Sequence, residues 1–387
     1  MRASIAGAAL FLSVVACGGK PGGQSSPAAD AGSDGGSDAG LDAGVPPEPT
    51  SDAGRPDAGP VCSRGRSCTI TWTESDPLPV KVDHHTIHIH TSKAGTFLYV
   101  FGGIRAELAT PKAFYRHVFR APIRDDGTLG AWEALAELPT TLGFHAIAAN
   151  DTTVYLVGGL TVVQGAIDAH DETVVGTFAD DGTITWRLGG KLGHPVQHAT
   201  ALVDGNTLRF FGGSYTNALD TTDVSTIGPD GLNGDFTPGP KLSSPRTHHS
   251  QFVFQGRVFL VGGFNALAEA EPSIVASVSD GGWEKVGIMG TPNFASAAVL
   301  QGDGLLLIGG ATGTFYDETF TDVVQRAGVW PDSTLGVFSE AGRLPVARAH
   351  VHDVPVFRDT LYSVGGRVTP SLDSSDRVFI GRMTSAE

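Results

Sequence analysis

Six short apolar runs end in the same glycine pair. Leu98–Phe101 precedes Gly102-Gly103, Val154–Val157 precedes Gly158-Gly159, and Leu208–Phe211 precedes Gly212-Gly213. Val258–Val261, Leu305–Ile308 and Leu361–Val364 precede Gly262-Gly263, Gly309-Gly310 and Gly365-Gly366. Runs this short, apolar throughout or at alternate positions, fit buried strands. Glycine at their ends admits positive φ and close approach of neighbouring backbone. The second glycines step by 56, 54, 50, 47 and 56 residues. A period near 50 with this doublet predicts a propeller of four-stranded blades.

Each unit reads as strands a to d. Strand a starts near a His, as in His145–Ala149 and His249–Phe254, and a tight turn such as Asp204-Gly205-Asn206 or Gln255-Gly256 leads to strand b and the doublet. Strand c is expected over Phe114–Ala121, Thr173–Ala179, Thr222–Ile227, Ser273–Ser279, Thr319–Ala327 and Arg377–Arg382. Turns rich in Asp and Gly follow, at Asp125–Gly127, Asp180–Gly182, Pro229–Gly231 and Asp280–Gly282. Strand d then carries an aromatic: Trp132, Trp186, Phe236, Trp283 or Phe338.

The doublet, the polar loop, the aromatic and the Arg/His start together resemble the kelch repeat, over roughly residues 68–387. The resemblance implies an all-β, six-bladed kelch-type β-propeller. The chain departs from the repeat in its few Glu-x-Tyr strands c, in Phe236 and Phe338 for Trp, and in Ala295-Ser296 where other units have His. The sixth unit has no strand d after residue 383. Before the first unit lies Cys68–Thr73 with Trp72, a strand d without its partners. That N-terminal strand is expected to close the last blade and bury two open edges.

The first residues carry an address. Residues 1–16 have one basic residue, Arg2, and a short apolar core from Ile5 to Val15 that ends at Cys17. This resembles a bacterial lipobox, which implies cleavage before Cys17, lipid on its sulfur, and a membrane partner through that anchor. Gly18 follows where the inner-membrane retention signal has Asp, so the expected location is the outer membrane or cell surface. Residues 17–61 repeat Asp-Ala-Gly and hold almost nothing apolar, so they read as a disordered acidic tether. Residues 62–387 form the propeller domain. Cys62 and Cys68 are the two remaining thiols, and in an oxidising compartment they are expected to pair.

Composition narrows the function classes. Charged residues make up 17% of the chain and the net charge is −15, which argues against a nucleic-acid surface. Past the leader no apolar run reaches membrane-spanning length. No Gly-x-Ser-x-Gly, His-Glu-x-x-His, phosphate loop or dinucleotide fingerprint occurs. Galactose oxidase, another kelch-like propeller, needs a Cys–Tyr crosslink and copper, and no Cys lies beyond Cys68. No cofactor is expected, and no metal ligand set is assigned.

Alternating strand direction puts the starts of strands a and the b–c loops on one rim. Histidines gather there: His84, His85, His88, His90, His145, His194, His198, His248, His249, His350 and His352. They read either as supports for backbone at the strand starts or as imidazoles around a channel mouth, where a structural metal is a third possibility. Arg246 and Arg348 stand beside them, either to clamp a carboxylate or to hold backbone. The b–c loops differ most between units and add Arg105, Tyr215, Asn217, Asn265 and Arg367. With His145, His198, His249 and His350, these are the rim candidates. The expected function is a cell-envelope lipoprotein that binds a protein or glycan through this face. The alternative is a carbohydrate-active enzyme: the six-blade count is similar to that of the N-acetylneuraminate epimerases, kelch sugar mutarotases that use an acid/base pair and an Arg.

Overall fold

The computed structural model describes residues 61–108, 110–279, 281–314, 316–368 and 373–385. The expected signal peptide, Cys17 and all of the expected tether but Val61 lie outside the described residues.

Six four-stranded antiparallel sheets make up the ring. Blade 1 runs Thr86–Ser92, Gly95–Phe101, Val118–Pro122 and Glu133–Ala134 from the inside outward. Blade 2 is Ala146–Ala149, Thr153–Val157, Glu172–Phe178 and Ile184–Lys191. Blades 3, 4 and 5 repeat this order from Thr200–Asp204, Ser250–Phe254 and Ala297–Gln301. In blade 6, Val356–Phe357, Thr360–Val364 and Val378–Ser385 pair in turn, and Cys68–Ser75 supplies the fourth strand. Its register sets Cys68 against Ser385 and Ser75 against Val378. The N-terminal strand therefore closes the last blade, as the missing strand d predicted.

The segment ahead of that strand also grips blade 5. Cys62 and Cys68 are joined by a disulfide. Arg64 donates its backbone N–H to Asp303 at 2.6 Å, pairs its guanidinium with the same carboxylate at 3.2 Å, and lies over the Trp330 ring. The strap so crosses from blade 5 to blade 6 at the seam.

The doublets stitch blade to blade. Each second glycine donates its N–H to a carbonyl at the start of the next blade: Gly103 to Leu142, Gly159 to Val196, Gly213 to Arg246, Gly263 to Asn293, Gly310 to Arg348 and Gly366 to Val82, all within 3.0 Å. A side chain on the first glycine would strike that same carbonyl; at Gly262 a Cβ would lie 2.1 Å from the Asn293 oxygen, with φ at +63°. Between the sheets pack the cores, such as Phe97, Tyr99 and Phe101 of blade 1 against Val154, Leu156 and Phe178 of blade 2. Each such side chain contributes about 1.5–3 kcal/mol on burial.

Two b–c connections expected as loops are hairpins. Leu160–Val163 pairs with Ala166–Ala169, and Ala311–Thr314 with Asp317–Phe320. The first turns on Gln164-Gly165, both at positive φ, the geometry that two-residue hairpin turns favour. Strand c of blade 5 accordingly starts at Val323 rather than Thr319.

Candidate functional site

One residue per blade sits at the start of strand a in the left-handed region: His84, Phe144, His198, His248, Ala295 and His350, with φ between 49° and 63°. Their backbones close a circle. Phe144 donates its N–H to His84, His198 to Phe144, His248 to His198, Ala295 to His248, His350 to Ala295 and His84 to His350, at 2.8–3.3 Å. The bonds offset the strain that positive φ imposes on non-glycine residues. Their side chains meet near the axis. The His198 and His248 rings stack with centroids 3.6 Å apart, and the His84 ring lies 4.4 Å from His350, 5.1 Å from His198 and 4.2 Å from Phe144.

The next residue in each blade points elsewhere. His85 donates from Nε2 to the Val364 carbonyl at 3.1 Å, His145 Nε2 lies 2.9 Å from Thr86 Oγ1, and His249 Nε2 lies 3.0 Å from Thr200 Oγ1. Each contact reaches back to the preceding blade. His145 and His249 are therefore braces between blades and do not present a side chain on the rim. Arg246 and Arg348 are also turned inward. Arg246 is fully buried and donates to the carbonyls of Leu260, Gly262 and Ser273 and the hydroxyls of Ser244 and Ser273 in its own blade. Arg348 donates to Ser363 Oγ at 3.3 Å and lies over the Phe379 ring. Neither clamps a carboxylate: carbonyls at the b–c edge take up the Arg246 guanidinium, and Ser363 and the Phe379 ring hold that of Arg348. Burial pushes Arg246 down to about 10 and Arg348 to about 9, where neighbouring Arg377 adds to the effect.

Arg105 and Arg367 do come together, across the seam between blades 1 and 6. Arg367 Nη2 lies 3.4 Å from Asp83, which accepts a second bond from Ser374 Oγ at 2.6 Å and a short contact from His84 Nδ1. Arg105 pairs with Glu107 at 2.9 Å, and Glu107 accepts the Ser374 N–H at 3.0 Å. Glu318 on the blade 5 hairpin joins the same neighbourhood, 3.1 Å from His350 Nε2. Burial opposes the charge on Glu318, yet His350 and Arg367 outweigh it and hold the carboxyl below its ordinary range. Burial, reinforced by His350, Arg367 and the other rings, keeps His84 far below 6.5. The Asp83 contact places a proton on Nδ1 and leaves Nε2 with its lone pair.

Glu107 was among the polar residues of the b–c loops, whereas Asp83, Glu318 and Ser374 were not legible as site residues, because single carboxylates and a serine outside any motif carry no signal. Asn265 shapes its own loop, accepting the N–H groups of Leu267 and Glu269 on Oδ1. Tyr215 and Asn217 stand exposed on the blade 3 loop, apart from the axial cluster.

Below the circle, strand a residues line a channel cavity of about 360 Å³ that includes His84, His198, His352, His88, Gln251 and Asp353. Burial raises Asp353 to about 7, against the pull of the Ile87 N–H. His352 and Asp353 reach the channel where blade 6 departs from the repeat, its inner strand reduced to Val356–Phe357.

No family model matches the chain. Among curated proteins it is 27% identical over 149 residues to "Kelch-like protein terF" of Aspergillus terreus, covering 38% of the chain and 30% of that protein. It is 23% identical over 303 residues to "Alpha-scruin" of Limulus polyphemus, covering 74% of the chain and 31% of that protein. The chain is a kelch-type propeller of six blades. The solved structure of YjhT matches its fold with a TM-score of 0.62 at 13% identity, over 81% of this chain and 99% of that one. The chain spans about three tenths of the length of the curated relatives it matches.

Within this kelch propeller the b–c face is where the blades differ. Leu108, Val163, Tyr215, Leu267 and Tyr316 are exposed there, one on the b–c connection of each of blades 1 to 5, and Leu267 and Tyr316 are 76% and 70% accessible.

Proposed function

We propose that the b–c face docks a protein partner and that the propeller is held at the cell envelope by the Cys17 lipid and its acidic tether. The observation that carries the reading is an exposed apolar side chain on each of five successive b–c connections, among the described residues. Apolar anchors on loops of a rigid ring, rimmed by polar residues, suit a protein interface. Three of the five are aliphatic, which favours a protein over a glycan, whose rings stack on aromatics. Kelch proteins among the relatives support the same class of function. The lipobox-like leader supports the location.

Photo-crosslinking residues placed at Leu267 and Tyr316 test the docking face, with Val337 as a control that is 94% accessible and lies away from the b–c face. In intact cells the two b–c positions should give one discrete adduct that the Val337 position does not. Equal labelling from all three, or none from the b–c positions, would overturn the reading. Cys17→Ala should release the protein from the membrane fraction.

A further inference from the structure

We propose that His84, His198 and His248 form a binding site for one divalent d-block cation of the zinc class at the closed end of the channel. One ligand nitrogen from each of the three lies within 4.8 Å of the others. The chain brings them together from blades 1, 3 and 4 through the backbone circle, so the constellation belongs to the ring and not to one loop.

The donor set suits the cation. Both ring nitrogens of His198 are shielded from solvent without a hydrogen-bond partner, which leaves a buried imidazole with unused lone-pair capacity. Asp83 holds the Nδ1 proton of His84 and turns Nε2 into a lone-pair donor, the carboxylate–histidine arrangement that orients metal ligands. Thr247 Oγ1 lies 3.2 Å from His248 Nδ1 and serves that ring in the same way. Ligands about 2.0–2.1 Å from a tetrahedral zinc stand about 3.3 Å apart, so the nitrogens close in by about an ångström, and the stacked His198 and His248 rings have to rotate out of their parallel arrangement for both lone pairs to point at one ion.

The surrounding charge permits a cation. Arg367 faces His84 with its Nη2 3.5 Å from Nδ1, and the carboxylates of Asp83 and Glu318 outnumber it. His352 stands on the channel side, its ring 6.2–6.5 Å from each of the three, with Nε2 shielded and without a partner. A fourth position there, taken by His352 or by water, opens to the channel. Only nitrogen donors are offered, which selects zinc, copper or nickel over calcium or magnesium.

The test uses the full chain purified without a histidine tag, stripped with a chelator, and dialysed against Zn²⁺. Elemental analysis should find one Zn²⁺ per chain, and Co²⁺ in its place should show the intense visible bands of tetrahedral coordination. His198→Phe copies Phe144 and His248→Ala copies Ala295, residues that already occupy this position in other blades, so both variants should fold. Each should lose the stoichiometric metal, Asp83→Asn should weaken binding about 10–100-fold, and His145→Ala should leave it unchanged. No stoichiometric metal in the parent chain, or equal binding in His198→Phe, would overturn the site. Should a variant fail to fold, the Co²⁺ spectrum of the parent chain decides alone.

Discussion

Trp72 lies directly across the seam from Gly381, its ring occupying the space where a side chain on that glycine would stand. A Cβ on Gly381 would lie 2.6–2.8 Å from three Trp72 ring atoms. Blade 2 repeats the arrangement with Trp186 over Gly176. In these two blades the strand d tryptophan thus rests on a strand c glycine, and at the seam this contact ties the first strand to the last. Gly381→Val should destabilise the propeller by about 1–3 kcal/mol through overpacking. Thermal melts would check it, and an unchanged midpoint would separate Trp72 from seam stability.

The glycine doublet should tolerate no side chain on its first residue. Gly262→Ala combines positive φ with a collision against the Asn293 carbonyl, and is expected to cost about 3 kcal/mol or more. Gly205→Ala shares the positive φ, at +58°, but meets nothing within 4 Å, and should cost about 1–2 kcal/mol. Denaturant midpoints of the two variants compare blade stitching with backbone strain alone.

Three tyrosines on strand b reach across to the c–d turn of the next blade. Tyr99 donates to the Gly182 carbonyl at 2.7 Å, and Tyr155 and Tyr362 donate to those of Gly231 and Gly127 at 2.8 Å. Tyr→Phe at each should cost about 1 kcal/mol. The sites are in separate blade junctions, so the triple variant should lose about the sum.

How far these features could be read from the sequence depends on what reports them. The six doublets, the Asp-Gly turns and the orphan strand around Trp72 announced the ring and its closure, because glycine and turn residues are set by backbone geometry that recurs in each blade. The same residues hid the tyrosine ties, since Tyr99, Tyr155 and Tyr362 sit inside runs that satisfy a buried strand without their hydroxyls. Adjacent histidines such as His84-His85 read alike in sequence. They serve different ends only because His84 has positive φ, which turns its side chain to the axis while His85 braces blade 6. A backbone angle on a non-glycine residue leaves no periodic trace. The hairpins at Leu160–Ala169 and Ala311–Phe320 were missed for a related reason: they are too short for alternation to outweigh their polar tips.

Acid should loosen the ring above the range where ordinary carboxylates titrate; Asp353, raised to about 7, acts in the opposite sense in this window, and the buried histidines outnumber it. Burial, helped by His85 and His170, pulls His145 down to about 3, and burial with His90 pulls His88 to about 4. The unfolded imidazoles, with pKa near 6.5, bind protons that the folded ones refuse. Stability is therefore fully present above pH 6.5 and falls as pH drops through the window toward 4. Each histidine adds a slope of up to about 1.4 kcal/mol per pH unit. Urea midpoints at several values between pH 7 and 5 should fall with acid, and His145→Phe should flatten the curve. A flat profile would show that these rings protonate freely in the folded protein.

Both the docking face and the histidine cluster depend on the circle formed by His84, Phe144, His198, His248, Ala295 and His350 being closed. Amide hydrogen exchange at these six positions tests that most directly. The account predicts that all six exchange together and only through global unfolding, with the His84 amide at the seam as protected as that of His198. Fast exchange at His84, whose N–H bonds His350 across the seam, with protection kept at the other five, would mean an open ring and would contradict it.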